Sequence, residues 1–293
     1  MCLRYTWLRL SPYEEERAKL QGLSFVSPTL VGCAIAVMKD YFFEMGAFDE
    51  GLYVWGGENL ELAFRMWMCG GKTITVTCSR AGHVFKQSPN KFDGTIGTKE
   101  QTVQKNLIRV ADVWMDRFRK FFYATTLPYD FKRLTLNEAE RKSLKERSEL
   151  RQRLKCHNFD WYLYNVIPEM MDLPPMNSRY FGEIMNLHTK ACWEVTEDYY
   201  VGMTYFCFEH KVIPKNNFAL TSDGLLRYRD KCVHIVPPKP YLTLAECPQK
   251  DLERFGIWEL ESRGVVWGGL RVKQKNSDGV MVHWCLVQVN YTV

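Results

Sequence analysis

Hydrophobic positions in the first half of the chain alternate between short strand-like runs and helical stripes. Residues 33–38 form a continuous apolar run, which predicts a buried strand. Apolar side chains at i, i+3, i+4 and i+7, namely Leu60, Ala63, Phe64 and Trp67, predict an amphipathic helix. This helix would begin near residue 59 and end at the glycine pair 70–71. Alternation of strands and helices is typical of an α/β domain.

Apolar and charged patterning predicts a further strand, two further helices and a linker. Strict alternation over residues 73–78 predicts a half-buried strand, and the mixed charges of residues 138–155 predict a solvated helical face. The segment 170–178 loses periodicity and carries two prolines, which indicates a linker between a domain over 1–169 and another over 179–293. One long helix is marked by Val103, Leu107, Val110, Trp114, Phe118 and Phe121.

Beyond the linker, short strand-like runs repeat with a period of about 40 residues. The pairs Cys192/Cys207 and Cys232/Cys247 have the same spacing, and Phe218 and Trp258 close the two copies at matching positions. A third copy begins near Gly269, where the others have a cysteine, and would place its closing aromatic beyond residue 293. Three copies predict an all-β, three-lobed β-trefoil with an incomplete third repeat, since propellers need at least four blades.

Composition and charge narrow the class of protein. The 293 residues are 46% hydrophobic and carry a net charge of +5, with lysine and arginine interleaved with glutamate. Such a chain can bury a real core, and it lacks the basic stripe of a nucleic-acid-binding protein. We therefore expect no nucleic-acid partner.

The ten cysteines include no C-x-x-C pair, so disulfides or buried thiols are favoured over a zinc ribbon. No apolar stretch approaches the roughly 18 residues of a membrane span, and residues 1–4 do not resemble the start of a signal peptide. Because disulfides form in the secretory pathway, we expect that an upstream part of the protein is absent from this sequence.

Two segments carry candidate chemistry. Glycines allow close approach of a ligand at residues 54–59, Val-Trp-Gly-Gly-Glu-Asn, where an aromatic ring, a carboxylate and an amide suit sugar hydroxyls. A simpler interpretation makes Asn59 only the N-cap of the next helix. The second segment, 78–85, contains His83, but one imidazole cannot hold a metal without further ligands.

The order of the motifs resembles that of polypeptide N-acetylgalactosaminyltransferases (polypeptide GalNAc-transferases). They read Pro-Thr-Leu-Val-Gly at 28–32, Trp-Gly-Gly-Glu-Asn-Leu-Glu at 55–61, Trp-Met-Cys-Gly-Gly at 67–71, Cys-Ser-Arg-Ala-Gly-His-Val-Phe at 78–85, Ala-Asp-Val-Trp-Met-Asp at 111–116 and Trp-Tyr-Leu-Tyr-Asn-Val-Ile-Pro-Glu at 161–169. The resemblance implies the C-terminal part of a GT-A catalytic domain followed by a ricin-type lectin domain.

The resemblance also implies an activity: Mn²⁺-dependent, retaining transfer of GalNAc from UDP-GalNAc to Ser or Thr of acceptor proteins. The metal would act as a Lewis acid on the leaving UDP. Such enzymes work in the Golgi lumen and are held by an N-terminal membrane anchor. By motif, the catalytic residues are Trp55, Glu58 and Asn59, the donor- and substrate-binding residues are Gly32, Cys33, Phe85 and Lys86, and the metal ligand is His83.

Several positions depart from the family pattern. The family's other metal ligands belong to an Asp-x-His motif, which occurs nowhere in this sequence. Cys33 stands where a second glycine is usual, and Lys86 replaces an arginine, losing its bidentate fork for phosphate. We therefore expect this chain to be inactive alone, and we keep as an alternative a non-catalytic, carbohydrate-binding or scaffolding member.

The disulfides and the lectin site complete the expectations. Spacing of the repeats predicts Cys192–Cys207 and Cys232–Cys247, and the resemblance implies Cys69–Cys156. Ricin-type sugar sites use an Asp two residues after the first cysteine of a repeat, and here Glu194, His234 and Arg271 occupy those positions. Only Glu194 keeps a carboxylate, so we expect at most weak sugar binding there. We expect no partner for Cys2, Cys33, Cys78 and Cys285.

Overall fold

A computed structural model describes residues 24–32, 34–76, 78–79, 81–82, 97–126, 136–168, 173–186, 188–204, 217–236, 241–250, 252, 256–262, 267–275 and 281–290. The chain divides into two compact units, one made mostly of residues before 172 and the other mostly of residues from 172 onward. We describe each unit by itself.

The first unit is mainly helical. Two short antiparallel strands, β1 (Ser24–Val26) and β2 (Ile74–Val76), pair with Phe25 opposite Thr75. The helices are α1 (Lys39–Glu44), α2 (Glu58–Met68), α3 (Lys99–Trp114), α4 (Arg119–Thr126), α5 (Glu138–Arg153) and α6 (Phe159–Val166), with a 3₁₀ turn at Asp116–Phe118.

Helix α2 forms where the apolar spacing predicted it and is almost wholly buried. Residues 60–68 are all buried, including Glu61 and Arg65. The helix ends before Gly70, whose φ of +95° suits glycine because side chains rarely adopt that conformation. Helix α6 begins behind the N-cap Asn158, whose side-chain oxygen accepts from the Trp161 N–H at 2.9 Å.

The predicted strand at 33–38 is wrong for the residues that the structure describes. Residues 34–38 form no strand and are exposed, Met38 at 78%. A continuous apolar run predicts a strand only if neighbouring strands cover it. Among the described residues, the sheet of this unit consists of β1 and β2. Neither of these strands pairs with residues 34–38.

The strand predicted at 73–78 is confirmed in part, because its centre forms β2. Its burial was predicted wrongly: Ile74 is 55% and Val76 45% exposed, whereas Thr73 is buried. The alternation shows only that one face of the strand is apolar. A two-stranded sheet leaves that face uncovered unless another layer packs on it.

The single long helix predicted from Val103 to Phe121 is in fact α3 and α4, separated by the 3₁₀ turn. Asp116 has φ of +46°, which an α-helix cannot contain. Its carboxylate accepts from Arg151 at 2.7 and 2.9 Å and from the Phe159 N–H at 2.7 Å. These tertiary contacts hold the bend, while Trp114, Phe118 and Phe121 are all buried as the pattern predicted.

Helix α5 is only partly the solvated face that its charges predicted. A capping box at Asn137 begins it, and most of its charged side chains are exposed. Glu140 and Arg147 are buried, however, and Leu150 packs with them into the unit. Charge alone could not show this, because the buried positions lie on one stripe of an otherwise polar helix.

A buried group of charged side chains, which we call the charged cluster, joins α2, α3 and α5 to the loop before α2. Arg109 makes a bidentate pair with Asp49, both bonds at 2.8 Å. Arg65 donates to the Met45 carbonyl at 2.6 Å and to Glu61 at 3.0 Å. The cluster consists of Asp49, Glu61, Arg65, Arg109 and Arg147, all less than 9% exposed.

The second unit is built of strands. They are β3 (Ser178–Glu183), β4 (Met185–Asn186), β5 (Cys192–Val195), β6 (Val201–Thr204), β7 (Asn217–Thr221), β8 (Leu226–Tyr228), β9 (Lys231–Val236), β10 (Tyr241–Glu246), β11 (Ile257–Ser262), β12 (Trp267–Lys275) and β13 (Met281–Asn290). One sheet has the order β10-β9-β8-β7-β3 and the other β11-β12-β13-β4-β5-β6.

The 40-residue period is visible in these strands. The strands β3, β7 and β11 begin about 40 residues apart, and the hairpins β5–β6 and β9–β10 do the same. The matched closing residues Phe218 and Trp258 are both buried and both make edge-on contacts with Trp193, at 5.8 and 6.2 Å between centroids. The apolar core of this unit is formed by Ile184, Trp193, Phe218, Leu220, Leu226, Val233, Ile235 and Trp258.

Two predicted disulfides are confirmed: Cys69–Cys156 in the first unit and Cys232–Cys247 in the second. Cys192 is also disulfide-bonded, but its predicted partner Cys207 lies outside the described residues. Cys78 is a free, exposed thiol as expected. The predictions for Cys2, Cys33 and Cys285 concern residues or side chains outside the described structure.

Candidate functional site

The loop over residues 27–32 is fixed at its start by buried polar contacts. The Ser27 carbonyl accepts from the Trp67 indole N–H at 3.0 Å, and the Thr73 hydroxyl also donates to it. The Pro28 carbonyl accepts from the Tyr162 hydroxyl at 2.8 Å. Burial raises the pKa of Tyr162, so this hydroxyl stays protonated and remains a donor. Helices α2 and α6 therefore determine where the loop runs.

Asn59 ties this loop to helix α2. Its side-chain amide donates to the Leu30 carbonyl at 3.1 Å. The simpler interpretation of Asn59 as the helix N-cap is wrong, because the N-cap is Gly57, with φ of +95°, and the helix begins at Glu58. The amide thus joins the loop over 27–32 to the first turn of helix α2.

Glu58 lies beside the same loop. Its Oε2 accepts from the Gly56 N–H at 2.6 Å, which leaves Oε1 directed towards Gly32. A Cβ added at Gly32 would lie 3.9 Å from both Glu58 Oε1 and the Asn59 Cβ. The structure therefore brings Gly32, Glu58 and Asn59 together, as the candidate site requires.

The residues before Glu58 cross over helix α3. Gly56 and Gly57 have positive φ values and are buried, and a Cβ at Gly56 would come within 3.2 Å of Val103. Two adjacent glycines are needed here because the backbone packs directly on the helix. Trp55, which precedes them, is 51% exposed, with the Lys99 ammonium 5.8 Å from its ring centroid.

Tyr53 anchors the loop to helices α3 and α5. Its hydroxyl lies 3.2 Å from Glu140, which also pairs with Lys105 at 2.9 Å. Burial raises the pKa of Glu140, but hydrogen bonds from Lys105, from the Asn137 N–H and from Tyr53 outweigh it and hold that pKa below its usual range. The pKa of Tyr53 is raised, first by burial and then by the Glu140 charge.

Sequence reasoning missed Asn106, which is 1% exposed and hydrogen-bonds the backbone of residues 53–55. A signal was present. Asn106 lies three residues after Val103 and four before Val110, on the apolar stripe of α3. A polar residue on a buried stripe indicates that its side chain bonds something inside the protein.

The remaining predicted residues of the first unit lie outside the described structure: Cys33, His83, Phe85 and Lys86. Within the part that the structure describes, no group of three or more His, Cys, Asp or Glu side chains could hold a metal ion. The described residues do not by themselves fit a Mn²⁺ site.

In the second unit, Glu194 lies on β5 opposite Gly202 of β6, next to the buried Trp193. Its side chain is half-buried. The matching His234 on β9 has its Nδ1 3.3 Å from the Thr243 hydroxyl. Burial lowers the pKa of His234, and an interaction with Thr243 offsets this only in part. Arg271 lies on β12.

None of the helices that the structure describes is both long and apolar enough to span a lipid bilayer.

Comparison with known proteins gives related sequences over most of the chain. Residues 17–87 match a family described as "N-terminal domain of galactosyltransferase". Human polypeptide N-acetylgalactosaminyltransferase 6 is 36% identical over 84% of this chain and 39% of its own length. Polypeptide N-acetylgalactosaminyltransferase 3 of Taeniopygia guttata is 32% identical over 97% of this chain and 42% of its own length. The chain thus spans about two fifths of these relatives.

Among solved structures, one of GalNAc-T7 with UDP, GalNAc and Mn²⁺ aligns with 97% of this chain and 50% of that chain, with a TM-score of 0.48 and 23% identity.

Proposed function

We propose, from the premise that this chain belongs to the polypeptide N-acetylgalactosaminyltransferase family, that it is part of an enzyme that transfers GalNAc from UDP-GalNAc to Ser or Thr of proteins. One observation carries the proposal. The motif residues Gly32, from the loop over 27–32, and Glu58 and Asn59, from the start of helix α2, lie together, and the half-exposed Trp55 precedes Glu58 by three residues.

The proposed roles follow from which polar atoms the fold uses. One carboxylate oxygen of Glu58 accepts a hydrogen bond from the Gly56 N–H, and the other faces Gly32. Asn59 uses its amide N–H on Leu30. We assign the second Glu58 oxygen, the Asn59 carbonyl oxygen and the Trp55 ring to the donor sugar, because sugars bind through paired polar groups and through apolar contact with an aromatic face.

We further propose that residues 1–169 are the C-terminal part of a GT-A catalytic domain, that 170–178 are a linker, and that 179–293 are a ricin-type β-trefoil lectin domain with an incomplete third repeat. The 40-residue spacing of the strands supports the trefoil. The disulfides Cys69–Cys156 and Cys232–Cys247 support an oxidising compartment, for which we propose the Golgi lumen.

Mn²⁺ remains part of the proposal through the family alone. When bound, it would act as a Lewis acid on the leaving diphosphate. His83 would be its ligand in this chain, where at least three protein ligands are expected. We therefore propose that these 293 residues alone are inactive and bind UDP with Mn²⁺ weakly. Calorimetry tests this, and micromolar, Mn²⁺-dependent UDP binding would contradict it.

The transfer proposal is tested with the protein expressed from the complete gene in a secretory host. It is incubated with UDP-GalNAc, Mn²⁺ and a Ser/Thr peptide, and the addition of one HexNAc is followed by mass spectrometry. We expect transfer that falls by roughly 10²–10³-fold in Glu58→Gln, the range for removing one preorganised polar group. The matched control is Glu50→Gln, an exposed carboxylate in the same loop region, which should retain activity.

The alternative is a non-catalytic, carbohydrate-binding or scaffolding member. It is favoured by Cys33, which stands where the family has a second glycine beside the donor sugar, and by Lys86, which replaces an arginine of the loop that closes over UDP. Wild-type protein that binds GalNAc but never modifies peptides would support it.

Weak sugar binding by the second unit is proposed at Glu194. Its extra methylene, relative to the usual aspartate, moves the oxygens outward by about 1.5 Å. A GalNAc titration of the 293-residue chain, followed by NMR, should give millimolar-range shifts that disappear in Glu194→Ala. Tight binding that survives this substitution would contradict the assignment.

A further inference from the structure

One side chain, that of Asn106, bonds the backbone of the loop that carries Trp55 at three points. The Tyr53 N–H donates to Asn106 Oδ1 at 2.8 Å, and Asn106 Nδ2 donates to the Tyr53 carbonyl at 2.7 Å and to the Trp55 carbonyl at 3.2 Å. The reciprocal pair with Tyr53 is the pattern that two residues of neighbouring strands make with each other. The carboxamide of Asn106 therefore substitutes for a backbone partner.

The conformation that these bonds hold is unfavourable by itself. Val54, between the two bonded residues, has φ of +46°, which is rare for a β-branched side chain. Such a residue persists only where its surroundings fix it. Asn106 bonds the backbone on both sides of Val54 and is almost fully buried, so water cannot replace these bonds.

The consequence is the exposure of two large side chains. With the Tyr53 and Trp55 carbonyls directed towards helix α3, the side chains of Val54 and Trp55 stay 61% and 51% exposed. The helix itself is fixed at its start by a capping box at Thr98. Lys99, in the first turn of that helix, lies over the Trp55 ring at 5.8 Å.

We propose that Asn106 is a positioning residue, which fixes the backbone of residues 53–55 and so sets how Trp55 is presented to the donor sugar. The link to the donor sugar rests on the proposed function. The positioning itself rests on the three hydrogen bonds. Asparagine suits this position because it combines one acceptor with two donors in a short side chain.

Two variants of the 293-residue chain separate these bonds. Asn106→Leu removes all three, whereas Asn106→Asp keeps the acceptor for the Tyr53 N–H and loses the donors to both carbonyls. Amide hydrogen exchange reports the Tyr53 N–H, and oxidative labelling with peptide mapping reports the Trp55 ring. The matched control is Thr102→Val, which removes another buried polar group of α3, a hydroxyl that donates to the carbonyl of the N-cap Thr98 and not to residues 53–55.

We expect exchange at Tyr53 to rise at least about tenfold in Asn106→Leu and to stay near wild type in Asn106→Asp, because hydrogen-bonded amides exchange only on local opening. Labelling of Trp55 should rise in both variants, by up to about twofold from its half-exposed state. Thr102→Val should change neither. Amides of residues 108–114 report whether α3 stays folded.

Unchanged Trp55 labelling in both variants, with α3 still protected, would overturn the proposal. If Asn106→Leu fails to fold, the nearly isosteric Asn106→Asp decides it by the same labelling. Both readouts are made without ligand, so they stand apart from the transfer reaction. In the complete protein, a raised KM for UDP-GalNAc in Asn106→Asp would support the link to the donor. If the wild-type complete protein transfers no GalNAc, that result would count against the proposed function, while the positioning result would remain.

Discussion

The helical unit buries charged side chains around a loop, whereas the strand-rich unit is centred on aromatic and aliphatic side chains. The charged cluster bonds the carbonyls of Met45, Gly46 and Ala47, so it holds a segment that has no regular structure of its own. The apolar core instead places matched residues of successive repeats, Phe218 and Trp258, against the same indole of Trp193.

The difference shows how each unit fixes its irregular parts. A repeated fold can bury its turns by copying one apolar position at a constant spacing. The helical unit has no such repetition, and its loops are held by individual hydrogen bonds from Arg65, Asn106 and Asn59. Single substitutions in the helical unit should therefore act by removing individual hydrogen bonds. Those in the strand-rich unit should act by disturbing apolar packing.

Removal of a disulfide should give the largest loss in the free energy of unfolding, and the loss should be larger in the helical unit than in the strand-rich unit. Closing a loop restricts the unfolded chain more when the loop is longer. The Cys69–Cys156 bond spans 87 residues and the Cys232–Cys247 bond spans 15. We expect the double Ala variants to lose about 4.6 and about 3 kcal/mol respectively, measured by urea unfolding. Equal losses would show that native contacts, and not loop length, determine the effect.

Arg65→Met should destabilise the helical unit by about 3–5 kcal/mol, because it leaves the buried Glu61 with Arg147 alone and removes donors from the Met45 and Ala47 carbonyls. Urea unfolding followed by fluorescence measures the loss. The control is Lys145→Met, in an exposed pair with Glu149 on α5, which should change stability by less than about 0.5 kcal/mol. An Arg65→Met variant as stable as the wild type would mean that the charged cluster is energetically neutral.

Trp258→Phe makes the second repeat resemble the first and should cost about 2 kcal/mol, from lost volume and from leaving the Val233 carbonyl without the indole N–H that now donates to it at 3.0 Å. The same unfolding assay applies. Tyr199→Phe, at a 59% exposed position of the same unit, should stay within about 0.5 kcal/mol. If both variants have the same small effect, Trp258 is not central to this core.

Acid should affect the units in two different pH windows, with the smallest effects of the series. Burial lowers the pKa of His234 in the folded protein below its unfolded value of about 6.5. The contribution of the neutral imidazole to the free energy of unfolding is therefore complete above about pH 6.5, and it is lost as the pH falls through the folded-state pKa. The pKa of Glu140 is also lowered on balance, so its contribution is lost only below about 4.3, the unfolded value.

The free energy of unfolding measured across pH 3–8 checks this expectation. His234→Gln should reduce the pH dependence of the free energy of unfolding below about pH 6.5, and Glu140→Gln should reduce it below about pH 4.3. Glu138→Gln, an exposed carboxylate in the same helical turn as Glu140, should follow the wild type. A Glu140→Gln variant with the wild-type acid response would show that Lys105 does not stabilise the ionised carboxylate.

Periodic features were predictable from the sequence, and contacts between distant loops were not. Helix α2 and the 40-residue repeat were predicted because a regular apolar spacing reports directly which face is buried. The break after Trp114 was missed, because the apolar stripe continues through it and the bend depends on Arg151, 35 residues from Asp116. Residues 34–38 were assigned wrongly because an apolar run does not show whether a sheet surrounds it.

Within the candidate site, residue types and order were sufficient to select Gly32, Glu58 and Asn59, which the structure brings together. The role of Asn59 was open between a cap and a site residue, since both need the same amide. Asn106 was missed because the pattern was read for its apolar members, while the informative residue was the polar one among them.

The bond between Cys69 and Cys156 also has a consequence for proteolysis. It encloses helices α3, α4 and α5 in one covalent ring, with Asn106 on α3, and the two ends of the ring lie just beyond α2 and α5. A single backbone cut anywhere inside this ring leaves the chain as one molecule, which migrates as an intact band on a non-reducing gel and separates into two fragments only after reduction. The helix that bonds Trp55 would thus stay attached to the helix that carries Glu58 after such a cut.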